Sequence, residues 1–166
     1  MPRITPDQAG GVNLCAFLDM IAHSEGTAGK GDDGYNMIVE PGGFFISYAD
    51  HPRVLVQLRP GLASTAAGRY QLLARYFDAY KALLHLTDFG PLAQDRIALQ
   101  QIKEARATAL IQTGQLVEAI ARCAHLWASL PGAGYGQREV ALSELLNVYL
   151  SAGGSIAPAA TESVNA

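Results

Sequence analysis

"NLCAFLDMIAHSEGTAGKGDDGY", residues 13–35, sets an apolar helical repeat against a glycine-rich run and leaves one carboxylate, Glu25, at the junction. Leu14, Phe17, Leu18 and Ile21 recur at i, i+3, i+4 and i+7, the spacing of an amphipathic helix, and Asn13 is suited to cap it. The glycines that follow stop the helix. Glu25 comes four residues after Ile21, so helical geometry projects it along the apolar stripe rather than towards open solvent. Partial desolvation and the negative end of the helix dipole both disfavour the ionised form there, and a carboxyl that keeps its proton near neutral pH is a general acid. The competing arrangement is a frayed last turn, with Glu25 in water or paired with Lys30.

Working outward, "YNMIVE" (35–40) and "FFISY" (44–48) read as a hairpin around "PGG", with Pro41 and Gly42 at the centre of a type II turn. "RVLVQL" (53–58) adds a third strand. The stretch 69–86 carries Leu72, Leu73, Tyr76, Phe77, Tyr80, Leu83 and Leu84 at helical spacing and is expected to be the central core helix. Pro91 suits a first helical turn, and from there the chain reads as helical to Ala152, broken at Gly114 and at "SLPGAGYGQ" (129–137). One helix, a small antiparallel sheet and then a helical bundle make an α+β plan, two lobes with a cleft between them. Residues 1–153 are expected to form a single domain, and "SIAPAATESVNA" gives 154–166 the character of a flexible tail.

Composition narrows the function. The chain of 166 residues has 49% hydrophobic and 16% charged residues, which suits one globular domain with a real core. No apolar run approaches the roughly 20 residues of a membrane span, and the start lacks a secretory pattern, so synthesis in the cytoplasm without stable membrane insertion is expected. A net charge of -3 with no Lys/Arg cluster argues against nucleic acid and for a weakly charged or neutral substrate. Cys15 and Cys123 sit in apolar helical patterns without metal or redox spacing and read as buried free thiols. His23, His51, His85 and His125 are scattered, so no metal or other cofactor is expected, although His51 is a candidate for the cleft border.

Further candidates lie in two blocks. In "STAAGRYQLL" (64–73) small residues and Gly68 suit close approach of a ligand to the backbone, Gln71 offers an amide to a sugar hydroxyl or N-acetyl group, and Ser64 or Thr65 serves as a sugar contact or a helix cap. In "WASLPGAGYGQ" (127–137) Trp127 reads as core, and Tyr135, between Gly134 and Gly136, as exposed for stacking.

Five ordered blocks resemble the lambda-type bacteriophage endolysins: "AFLDMIAHSEG" (16–26), "SYADHPR" (47–53), "STAAGRYQLL" (64–73), "ALQQIKE" (98–104) and "WASLPGAGYGQ" (127–137). The resemblance implies a lysozyme-like fold whose lobes flank a groove for the glycan strand of peptidoglycan, with Glu25 as catalytic acid/base. It also implies lytic transglycosylase activity: cleavage of the β-1,4 bond between N-acetylmuramic acid and N-acetylglucosamine, leaving a 1,6-anhydro end. Its blocks put Ser64, Gln71, Tyr135 and Gln137 at the cleft, with Tyr35 and Tyr48 as further contacts from the sheet lobe. A monomer is expected, reaching the wall in the periplasm after a holin permeabilises the membrane.

Hydrolytic glycosidases generally pair two carboxylates, and the second is hard to name here. Asp32 and Asp33 lie in the glycine-rich loop, and Asp50 precedes His51-Pro52 as a turn residue would. A transglycosylase needs no second one, because the muramic C6 hydroxyl attacks intramolecularly. The alternatives are a hydrolytic muramidase, with Asp33 or Asp50 positioning water, and a glycan-binding module without chemistry.

Overall fold

The computed structural model describes residues 1–134, 136 and 138–158. The chain enters through a short helix, α1 (Pro6–Ala9), closed at its start by a capping box in which the Thr5 hydroxyl accepts the Gln8 amide and the Gln8 side chain accepts the Thr5 amide. The T-P-D-Q pattern carries that signal, with proline in the first turn, but four residues are too few to show a period. α2 (Val12–Ser24) follows and is the true central helix, packing against α1 and buried along most of its length. Gly11, not Asn13, caps it. The Asn13 amide instead donates to the Ile111 and Gln112 carbonyls, and its oxygen accepts the Ser155 amide.

The sheet lobe differs in detail from the expected three strands. Met37 and Phe44 pair through an isolated bridge, and the Gly42 amide closes on the Val39 carbonyl at 2.7 Å. That hydrogen bond puts Pro41 third in the turn rather than second, so the expected type II turn centred on Pro41 and Gly42 is not formed. The strand expected at 53–58 is present as β1 (Val56–Arg59), and its antiparallel partner is β2 (Leu62–Ser64).

The helix expected from residue 69 begins only at Ala74, as α3 (Ala74–Leu83). Residues 67–72 close on themselves instead: Ala67 and Leu72 exchange backbone hydrogen bonds of 3.0 and 2.9 Å, and Gln71 takes the left-handed conformation at φ 49°. Among the residues of α3 only Phe77 is buried, so this helix covers the sheet lobe and is not the core. Beyond it come α4 (Pro91–Glu104), α5 (Thr108–Gln112), α6 (Leu116–Cys123) and α7 (Leu142–Ser151). Pro91 opens α4 as expected, while a turn with Arg106 at φ 58° divides α4 from α5 where no break was expected.

Two apolar clusters result. The larger centres on α2, against which α7, α5 and α4 pack, and includes Trp127 and both free cysteines. The smaller, built on Phe77, Phe89, Val56 and Ile97, underlies the sheet lobe. His51 packs against this second cluster and is 3% exposed, its ring tilted against Phe89 at 4.8 Å and its Nε2 2.9 Å from the Leu72 carbonyl, so it is buried rather than at a cleft border. Residues 155–157 of the expected tail are docked, since the Ala157 amide donates to the Gly114 carbonyl at 3.0 Å, and residues 159–166 lie outside the described residues.

Candidate active site

Glu25 is the last residue before the chain leaves α2, and the way it leaves fixes the carboxyl's surroundings. The Gly26 amide donates back to His23 and the Thr27 amide to Ala22, with Gly26 at φ 70°, a Schellman closure that needs glycine at its left-handed position. Thr27 is fully buried and its hydroxyl lies 2.6 Å from the Arg69 carbonyl, which ties the end of α2 to the segment after β2. The main chain therefore turns away at Gly26 and leaves Glu25 half-buried at the mouth of the helix.

The Glu25 carboxyl accepts a hydrogen bond of 2.6 Å from the Ser129 hydroxyl. Ser24 in turn donates to the Ser129 oxygen at 2.6 Å. Burial pushes the Glu25 carboxyl above its usual range, and the hydrogen bonds from Ser129 offset only part of that rise. Lys30 is paired with Glu40 at 2.6 Å, so the frayed arrangement with a Glu25–Lys30 pair is not formed.

The three aspartates weighed as second carboxylates are all engaged by cations. Asp32 pairs with Arg3 at 2.8 Å and accepts the Tyr48 hydroxyl at 2.7 Å. Asp50 sits between Arg53 and Lys81, each at 3.1 Å. Asp33 meets Arg69 at 2.8 Å and the N-terminal ammonium at 2.9 Å. Burial acts to raise the Asp33 carboxyl, but hydrogen bonds from that ammonium, the Gly29 amide and Arg69, with the Arg69 charge, hold it at about 2.

Of the remaining candidates, Tyr35 is a core residue: it is 0% exposed, and its hydroxyl donates to the buried Asp95 at 2.7 Å. It cannot reach a sugar, and its aromatic ring is spent on packing between Tyr70 and Arg69. Tyr48 is half-buried, with its hydroxyl given to Asp32. Ser64, half-buried at the end of β2, accepts the Ala66 amide at 3.1 Å, and the Thr65 hydroxyl accepts the Ala74 amide, the first of α3, at 3.2 Å, although the N-cap residue of that helix is Leu73. Gln71 is half-buried but lies in the 67–72 reversal and not on a helical turn, its amide donating to the Gly68 carbonyl at 3.0 Å. The close approach that Gly68 permits is internal, since Gln94 and Phe89 pack against it. Tyr135 and Gln137 lie outside the described residues.

Sequence reasoning passed over Ser24 and Ser129. Each stands in one of the quoted blocks, but 104 residues separate Ser129 from Glu25, and nothing local signals that pairing. Two concavities elsewhere, one between α1 and α4 and one at residues 10–13 with Gln112, lie towards the other end of α2 and are lined by no carboxylate.

A helical body, a two-stranded lobe and an acid at the end of the central helix define a lysozyme-like fold. The lysozyme of bacteriophage lambda complexed with a chitohexasaccharide matches it with a TM-score of 0.86 and 48% identity, covering 95% of this chain and 100% of that one. A second structure of the lambda lysozyme matches with a TM-score of 0.82 at the same identity and coverage. In sequence, the chain is 52% identical over 145 residues to the endolysin of Escherichia phage lambda, across 85% of this chain and 91% of the relative. It is 46% identical over 167 residues to the endolysin of Escherichia phage P2, across 93% and 98%. The Endolysin family profile covers residues 15–156, and the chain belongs to that family.

Proposed function

We propose that this chain degrades peptidoglycan as a lytic transglycosylase, with Glu25 acting first as general acid and then as general base. The observation that carries this reading is a half-buried carboxyl whose pKa is raised by burial, while Asp32, Asp33 and Asp50 are each held by cations. An aspartate fixed as the counter-ion of an arginine or lysine is poorly placed to activate water, whereas Glu25 has no cation bound to it among the described residues. The chitohexasaccharide held by the lambda lysozyme supports a glycan strand as the ligand.

Neutral Glu25 protonates the oxygen between N-acetylmuramic acid and N-acetylglucosamine, and the bond from that oxygen to muramic C1 breaks. The N-acetyl carbonyl of the same sugar supports C1 until ring closure. Glu25, now ionised, takes the proton of the C6 hydroxyl as that oxygen bonds to C1, which restores the acid and leaves a 1,6-anhydro ring. The attack is intramolecular, and its high effective molarity replaces an activated water. Sugar contacts fall to Gln71, whose carbonyl oxygen remains available, to Ser64, whose hydroxyl proton does, and to Tyr48, Tyr135 and Gln137.

The enzyme works as a monomer. Among the described residues no helix is long and apolar enough to cross a membrane, which fits synthesis in the host cytoplasm and passage to the periplasm through a holin lesion. Glu25→Gln keeps the shape of the side chain and removes the transferable proton. Its clearing of permeabilised cells is expected to fall by about 10²–10⁴-fold with an unchanged fold by circular dichroism; near-normal clearing would overturn the assignment.

A further inference from the structure

We propose that Ser129, itself oriented by Ser24, is the positioning residue for Glu25, through a two-hydroxyl relay that confines the transferable proton to one carboxyl oxygen, Oε2. The inference rests on Glu25 being the acid and adds how that acid is aimed.

The direction of the relay follows from donor counting. An ionised carboxylate only accepts, so the single proton of Ser129 points at Glu25 Oε1, 2.6 Å away. The Ser129 oxygen is then left as an acceptor, and the Ser24 hydroxyl, also 2.6 Å away, supplies it. Ser24 is 7% exposed on the last turn of α2, so the helix that carries Glu25 also fixes the start of the relay. Ser129 is fixed from the other side. Leu130 is fully buried, the buried Trp127 donates its indole N–H to the Tyr70 carbonyl at 3.2 Å, and the Val140 amide donates to the Ser129 carbonyl at 2.8 Å.

With Oε1 occupied as an acceptor in both charge states, Oε2 carries the proton. The same oxygen then gives that proton to the glycosidic oxygen and takes the next from the C6 hydroxyl, without rotation of the carboxyl between steps. The Ser129 hydrogen bonds also act against the effect of burial and keep the acid from becoming too weak. Of the charged groups on the neighbouring segments, His23 is committed to Glu144, Arg69 to Asp19 and Asp33, and Glu139 to the Gly132 and Gly134 amides, while Arg138 is exposed on the segment that carries Ser129.

The test is the pH dependence of the initial rate of sacculus solubilisation at low substrate for the wild type and for Ser129→Ala, Ser129→Thr, Ser24→Ala and Glu25→Gln. Removing the donor from a carboxylate makes it a weaker acid. Ser129→Ala is therefore expected to lose about tenfold in rate and to move the alkaline limb of the profile upward by about one pH unit. Ser129→Thr, which keeps the hydroxyl, should restore both, and Ser24→Ala should move the limb the same way by less. An unchanged Ser129→Ala profile, or a slower variant whose limb stays put and which threonine does not rescue, overturns the relay. If Ser129→Ala does not fold, the Ser24→Ala and Ser129→Thr profiles decide. An active Glu25→Gln defeats the reading of the acid itself, whereas an inactive one beside an unmoved limb defeats only the relay.

Discussion

Glu25 is placed where a stable protein would not choose to put a charge. Burial raises its pKa in the folded state above the ordinary glutamate value of about 4.3. A group with a raised folded pKa contributes its stability fully below the unfolded value and loses it as pH climbs through the folded value. The wild type therefore gives up stability at neutral pH at this one side chain, which is the pattern expected of the acid proposed for it. Glu25→Gln is neutral at every pH, so it should melt above the wild type at pH 7 and level with it at acid pH. A variant no more stable than the wild type at pH 7 would remove burial as the cause.

At the scale of elements, the site depends on joints between helices and the sheet lobe more than on the helices themselves. Gly68, at φ 78°, lets the chain pass so close to Gln94 that an added methyl would lie 2.2 Å from the Gln94 oxygen. That amide binds the Arg69 N–H and the Tyr35 and Phe89 carbonyls, so it has nowhere to retreat. Gly68→Ala combines a left-handed alanine with overpacking and should cost about 2–4 kcal/mol in urea unfolding; a cost below about 1 kcal/mol would show that Gln94 yields. One residue on, Arg69 is 1% exposed and bridges Asp19 at 2.6 Å to Asp33 at 2.8 Å, joining α2 to the loop that follows Glu25. Arg69→Ala leaves two carboxylates facing each other and should destabilise by about 3–5 kcal/mol. Because Asp33 is held at about 2, its share of that stability is present above the ordinary aspartate pKa and is lost as pH falls through about 2. The deficit of the variant should accordingly shrink in acid, and a deficit independent of pH would point to lost packing alone.

For the whole molecule, the two-lobe α+β plan was legible where signals are local. The apolar spacing of α2, the glycine after Glu25, the proline that opens α4 and the Val/Leu-rich stretch 54–58 that leads into β1 each act within a few residues. The misreadings share a physical cause, which is that distant contacts overrode local spacing. Leu72 and Leu73 fit a helical stripe, yet pairing of Leu72 with Ala67 and burial in the second cluster hold that segment as a reversal. Tyr35 is expected as a glycan contact from the sheet lobe, yet Asp95, 60 residues away, holds its hydroxyl inside. The place of Glu25 at a helix end is legible from local spacing, but Ser129, whose hydroxyl it accepts, comes from a loop far along the chain. What the assembled molecule is held to do is cleave a glycan without admitting water to the bond. Digestion of sacculi in heavy-oxygen water, followed by mass spectrometry of the released muropeptides, measures this directly. Anhydro ends that carry no heavy oxygen are expected, and muramic ends bearing one heavy oxygen at C1 would contradict the transglycosylase mechanism.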